Sequence, residues 1–249
     1  MRTFLIAMAL AVAQSALAAD GVRNVVLVHG AWADGSSWAK VIPLLEKAGL
    51  KATAVQNPLT GFEDDVAATR RAIALQDGPV ILVGHSWGGV VITEAGADAK
   101  VAGLVYVAAF APDVGEPVGE LGKDFPPPPG LAEARPDATG YLTLTTKGVF
   151  DNFAFDLPLA QRKLIFATQG ATNSTVFGAK VSNAAWKTKP SWYIVAANDR
   201  MIQPELERKF AKTIKAQTVT LPTSHVAMLA RPAEVANVII RAARFASAN

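Results

Sequence analysis

The chain has 249 residues, 51% of them hydrophobic and 18% charged, with a formal net charge of +3 and no cysteine. That length and apolar content fit one α/β domain with a large core. The lack of cysteine excludes disulfides, thiolate catalysis and Cys-ligated zinc, and a mild positive charge without a Lys/Arg run does not make a nucleic-acid surface.

Residues 1–18 carry the pattern of a secretory signal: Arg2, an apolar stretch from Phe4 to Ala13, and Ala16-Leu17-Ala18 as a small-x-small cleavage site. A mature chain beginning at Ala19, in the periplasm or the medium, is expected. The stretch is short for a membrane span and no other run is long enough, so no stable membrane insertion is expected.

Val25 to Val28 is a short β-branched run and reads as the first strand, followed by a loop His29-Gly30-Ala31-Trp32. A helix is predicted over about 38–48, with Val41, Leu44, Leu45 and Ala48 on one face. A second strand over 51–55 follows, then a turn-rich loop and a helix over 63–75 with acidic residues in its first turn.

The next stretch organises the rest. Val80 to Val83 reads as a buried parallel strand, and a helical pattern opens near Gly88. Between them lies Gly84-His85-Ser86-Trp87-Gly88, a G-x-S-x-G. In that context the motif is a sharp turn that holds a strained serine with its hydroxyl above the sheet. The helix should run to about Ala97, and Val101 to Ala108 is the next strand. Strands alternating with helices predict a doubly wound, mainly parallel sheet of about six strands.

The alternation breaks at Phe110. Residues 112–188 hold most of the prolines and many aromatics and are too long for a connection, so a cap inserted above the turn is expected, with helices over about 158–168 and 173–186. Strand 191–197, helix 204–216, strand 218–221 and a terminal helix from Pro232 complete the domain over 19–249.

A serine hydroxyl needs a base to become nucleophilic. The chain has three histidines. His29 follows the first strand and His85 sits in the turn with its side chain directed away from Ser86. His225, in the loop after the last strand, is the candidate base. The acid that orients it is read as Asp199, after the strand 191–197, because loops at the carboxyl ends of parallel strands converge. Asp113, past the preceding strand, is the competing choice. Two backbone N–H groups must receive the oxyanion, and Trp87 and Ala31 are placed to supply them. Trp32, the Trp87 side chain and His29 are candidates for substrate contact, with simple packing as the alternative for the tryptophans and a packed loop histidine as the preferred reading of His29. No cofactor or metal is called for.

Several of these segments together resemble a known group. Val28-His29-Gly30-Ala31, Pro43-Leu44-Leu45, Gly84-His85-Ser86-Trp87-Gly88-Gly89, Val107 to Asp113, Asn198-Asp199-Arg200 and His225 to Leu229 are similar to the α/β-hydrolases that include plant methyl-ester esterases and hydroxynitrile lyases. The resemblance implies Ser86, Asp199 and His225 as a triad and Ala31 and Trp87 as oxyanion donors. Lyases of this kind carry threonine after the loop histidine and lysine after the catalytic one; here Gly30 and Val226 stand there, which disfavours cyanide elimination.

The expectation is therefore an exported serine hydrolase acting on small-molecule carboxylic esters through an acyl-enzyme, its oligomeric state open. A perhydrolase or C–C bond hydrolase using the same triad is the alternative within enzymes. A ligand-binding protein that keeps the fold without turnover is the alternative outside them.

Overall fold

The computed structural model describes residues 21–248. The signal expected over residues 1–18 lies outside the described residues.

Strands β1 (Asn24–Val28), β2 (Lys51–Ala54), β3 (Val80–His85) and β4 (Val101–Val107) come first. A separate group follows, β5 (Ala134–Pro136), β6 (Tyr141–Leu144) and β7 (Thr172–Asn173), and then β8 (Ser191–Ala196) and β9 (Gln217–Leu221). The main sheet has six strands in the order β2-β1-β3-β4-β8-β9, every neighbouring pair parallel. β1, β3 and β8 are buried at every position. Helices cover both faces, which is why these strands read as unbroken apolar runs and not as alternating ones.

The helices are α1 (Ile42–Lys47), α2 (Phe62–Ala74), α3 (Gly88–Ala95), α4 (Leu159–Thr168), α5 (Pro204–Thr213), α6 (Ala227–Ala230) and α7 (Pro232–Ala248). α2 packs on α3 and α1 on α7, and the sheet lies between the two layers. The α7 face that carries Val235, Val238, Ile239 and Ala242 is buried. Among the described residues no helix is long and apolar enough to cross a membrane.

One feature of this topology positions the site. The chain leaves β1 for the edge strand β2, then returns across β1 to form β3. Connections on the two sides of that reversal diverge and leave a crevice at the carboxyl ends of β1 and β3.

Two predicted helices take another form. The helix expected from Trp38 is split: Gly35–Trp38 is a 3-10 turn capped by the Asp34 side chain, and α1 starts only at Ile42, with Pro43 in its first turn. Proline is preorganised for a first turn and cannot donate to a preceding one, so it sets the start. The helix expected over 173–186 is absent. In its place are the last residue of β7 and 3-10 turns at Ser174–Gly178 and Ala185–Lys187. Side chains compete for the backbone donors there. Asn173 Oδ1 accepts from Thr175 N, and Glu94 Oε2 accepts from the N–H groups of Ser182 and Asn183 at 2.7 and 3.0 Å. The small antiparallel sheet β5-β6-β7 was not legible, its strands being only two to four residues long.

Candidate active site

β3 ends at His85 and α3 begins at Gly88, so the chain reverses within two residues, and Ser86 is held at φ 54°. A non-glycine residue in that region carries about 1–3 kcal/mol of strain. The backbone is fixed there by bonds from Gly89 N and Phe110 N to the Ser86 carbonyl, at 2.9 and 3.2 Å. Strand, turn and helix meet too closely for side chains at the flanking positions. A Cβ on Gly84 would lie 2.5 Å from the Gly88 carbonyl oxygen, and one on Gly88 2.6 Å from that of Val28.

Asp199 lies in the loop after β8 and His225 in the loop after β9. Both are buried, 5% and 1% exposed. Asp199 Oδ2 is 2.5 Å from His225 Nδ1, and Oδ1 accepts from Met201 N and Ile202 N at 2.6 and 3.1 Å. The carboxylate therefore has fixed donors on both oxygens. It holds the imidazole proton at Nδ1 and leaves Nε2 free to accept a proton. His225 is also tied to the serine turn: His85 Nε2 donates to the His225 carbonyl at 3.0 Å, and the two rings lie 4.6 Å apart. Burial, and then the neighbouring His225, push the His85 pKa well below its ordinary value, so His85 is a neutral strut beside Ser86. Ser86, Asp199 and His225 are thus brought to one place. Asp113 is not: its side chain is 40% exposed and paired with Lys187.

Ala31 and Trp87 line the cavity of about 20 Å³ that opens on Ser86. Among the described residues no protein acceptor takes the backbone N–H of either, whereas the N–H of Trp32, which also lines the cavity, is bonded to Thr172 Oγ1. Two unshared N–H donors beside a serine are what a developing oxyanion requires.

The other candidates divide. Trp32 lines this cavity, its indole N–H donating to the Leu142 carbonyl in the cap. The Trp87 side chain turns away: its indole N–H donates to Asp65 Oδ2 at 2.7 Å, and its ring meets Phe62 edge-on. The substrate contact weighed for His29 is not what its surroundings show: it packs in its loop. His29 is 1% exposed and does not line the Ser86 cavity. Its Nδ1–H donates to the Gly30 carbonyl and its Nε2 accepts from Asn57 N, so both nitrogens serve the loop. Burial lowers its pKa, which keeps it neutral. Among the described residues no group of three His, Asp or Glu side chains could hold a metal ion.

Three supporting residues escaped sequence reasoning. Phe153, in a π-helical turn of the cap, packs edge-on against His225 and His85 at 5.2 and 6.4 Å. Asp156 grips the loop that carries His225. Nothing in the sequence pattern marks either one. Glu207 was detectable: on α5 it shares the buried face with Leu206, Phe210 and Ala211, an anomalous place for a carboxylate. Its Oε2 accepts from Ala196 N. Burial, and then the charge of Asp199, push its pKa well above the usual range, so Glu207 is neutral.

Comparison with known proteins agrees with this fold. The model of the alpha/beta hydrolase family matches residues 25–238. A carbendazim hydrolyzing esterase of Nocardioides sp. (strain SG-4G) is 37% identical over 124 residues, which cover 43% of this chain and 50% of that protein. Methylesterase 7 of Arabidopsis thaliana is 36% identical over 112 residues, 38% of this chain and 43% of that one. The chain thus spans half or less of the length of these two curated relatives. Among solved structures, polyneuridine aldehyde esterase superposes with a TM-score of 0.75 at 21% identity, over 88% of this chain and 98% of that one, a likeness of fold.

Proposed function

The chain belongs to the alpha/beta hydrolase family, and on that premise we propose that it hydrolyses carboxylic esters through an acyl-enzyme formed on Ser86. The observation that carries this reading is the buried Asp199–His225 hydrogen bond, held beside the serine turn by the contact between His85 and the His225 carbonyl.

The reaction runs in two halves, acylation and deacylation of Ser86. Ser86 Oγ attacks the ester carbonyl carbon while His225 Nε2 takes its proton. The imidazolium is stabilised by Asp199, and the carbonyl oxygen, now an anion, is received by the N–H groups of Ala31 and Trp87. Collapse of the tetrahedral intermediate expels the alcohol, which leaves with the proton from Nε2. Water then attacks the acyl-enzyme with His225 again as base, releasing the acid and restoring Ser86. No cofactor enters any step.

Turnover of p-nitrophenyl acetate tests the reading, together with mass-spectrometric mapping of a fluorophosphonate adduct. Hydrolysis should fall by at least about 10³-fold in Ser86→Ala, and the adduct should sit on Ser86. Activity within tenfold of wild type in that variant, or an adduct elsewhere, sinks it. Export belongs to the same reading and rests on residues 1–18 alone; N-terminal sequencing of protein recovered from periplasm or medium should find Ala19 first, and a chain still beginning at Met1 would refute it.

A further inference from the structure

The cavity on Ser86 has a volume of about 20 Å³. Sites for whole small molecules typically enclose about 300–1,000 Å³. An ester larger than its reacting carbonyl must therefore extend into adjoining space, and among the described residues two cavities share lining with it. One, of about 350 Å³, shares Phe110, Val118, Leu131, Phe177, Met201 and Ile202 with the Ser86 cavity and continues along Phe125 and Pro126 to Pro128. The other, of about 200 Å³, shares only Trp32 with it and is bordered by Phe153 and Val226.

The chemistry of the leaving step tells the two apart. The departing alcohol oxygen takes its proton from His225 Nε2, so it faces that ring. Phe153 packs on the His225 ring, and Val226 is its neighbour in the chain, so the alcohol half points towards the smaller cavity. The acyl substituent lies across the carbonyl carbon from the leaving oxygen, towards the larger one. Resting on the esterase reading above, we infer that the groove walled by Phe110, Phe125, Phe177 and Pro126 to Pro128 is an acyl-binding subsite for an uncharged, extended apolar or aromatic acyl group.

The lining sets the chemical class. Among the described residues, Lys123 and Gln203 are its only side chains bearing a charge or an amide. Lys123 is exposed to solvent, and the Gln203 amide already donates to the Pro126 carbonyl at 2.7 Å. An ammonium on the acyl chain would be desolvated there without a counter-charge, and a carboxylate would find one only at Lys123, on the solvent-exposed rim. The proline run suits such a wall, because it offers no backbone N–H that a ligand would have to satisfy.

The test uses p-nitrophenyl esters that share one leaving group: acetate, hexanoate and phenylacetate. Gly122 lines the groove but not the Ser86 cavity, and a Cβ built on it finds its nearest neighbour at 3.5 Å, a methyl of Leu206. Gly122→Phe therefore fills the groove, and Phe125→Ala removes one of its walls. In wild type, kcat/KM for hexanoate should exceed that for acetate by at least about 10-fold, as added methylenes in a fitted pocket do. Gly122→Phe should cut the hexanoate-to-acetate ratio by about 10-fold, and Phe125→Ala should lower it too. A ratio within one enzyme is insensitive to how much of the variant folds. Ser86-dependent turnover with a flat acyl preference, or a ratio unmoved in both variants, overturns the subsite alone. So does a length preference that follows the alcohol at fixed acetyl and vanishes in Gly122→Phe. Failure of every ester to show Ser86-dependent turnover overturns the esterase reading, and the subsite with it.

Discussion

Asp156, in the cap, accepts from both the backbone N–H and the hydroxyl of Ser224, at 2.7 and 2.5 Å. Ser224 immediately precedes His225, so the cap holds the loop that carries the proposed base. Phe153 presses on the same imidazole from three residues earlier in the cap. The inserted segment thus braces the base as well as covering the site.

Loss of that brace should show in kcat more than in KM. Asp156→Ala leaves both Ser224 donors without their acceptor and frees the loop. Misplacing a catalytic group by about 1 Å can cost on the order of 10²-fold. We expect kcat to fall by about 10- to 100-fold with KM nearly unchanged, and Asp156→Asn, which retains one carbonyl acceptor, to fall between. Steady-state kinetics on one ester decide it; a rise in KM at constant kcat would show that Asp156 acts on substrate binding instead.

The identity of the acid is open to a direct comparison. Asp199 is bonded to His225, whereas Asp113 is exposed and its carboxyl is held below the ordinary range by the hydrogen bond and charge of Lys187. Asp199→Asn should reduce kcat by about 10⁴-fold, since an amide imposes the wrong tautomer on the imidazole. Asp113→Asn removes one exposed ion pair and should change activity less than about twofold. The reverse order of damage would reassign the acid.

Glu207 gives stability a pH dependence whose sign can be worked out. Its native pKa lies well above the ordinary 4.5. Between those two values the unfolded chain has released this proton and the native chain has kept it. Its contribution is therefore full below 4.5 and is lost as pH rises towards the native value, at about 1.4 kcal/mol per pH unit. Glu207→Gln keeps an acceptor for Ala196 N and cannot titrate. Urea unfolding at rising pH above 4.5 should show the variant gaining on wild type until the native pKa is passed. Parallel profiles would mean that Glu207 ionises normally in the fold.

Cyanohydrin cleavage should not occur. Among the described residues, the Ser86 cavity has no Lys or Arg in its lining to stabilise departing cyanide. At Gly30, an added Cβ would stand 2.7 Å from Ser86 Cβ, so a threonine could be built there only by displacing the turn. Benzaldehyde release from mandelonitrile should match the uncatalysed rate while p-nitrophenyl acetate is hydrolysed. Ser86-dependent release faster than ester turnover would contradict this.

The sequence by itself determined the sheet and the turn. Buried parallel strands are unbroken apolar runs, so β1, β3, β4 and β8 announce themselves, and the Gly84-to-Gly88 motif between strand and helix fits one local conformation. These are short-range constraints, written in consecutive residues. Tertiary structure decided what depends on distant partners. Asp199 touches His225 whereas Asp113 touches Lys187, and His29 is engaged by Asn57, 28 residues away. The helix expected over 173–186 fails because Glu94, on α3, takes backbone N–H groups a helix would have used. The braces at Asp156 and Phe153 lie in the cap, whose short strands and turns carry no periodicity to read. Side-chain partners far apart in the chain have no signature in local pattern, and the fine structure of this site is made of such pairs.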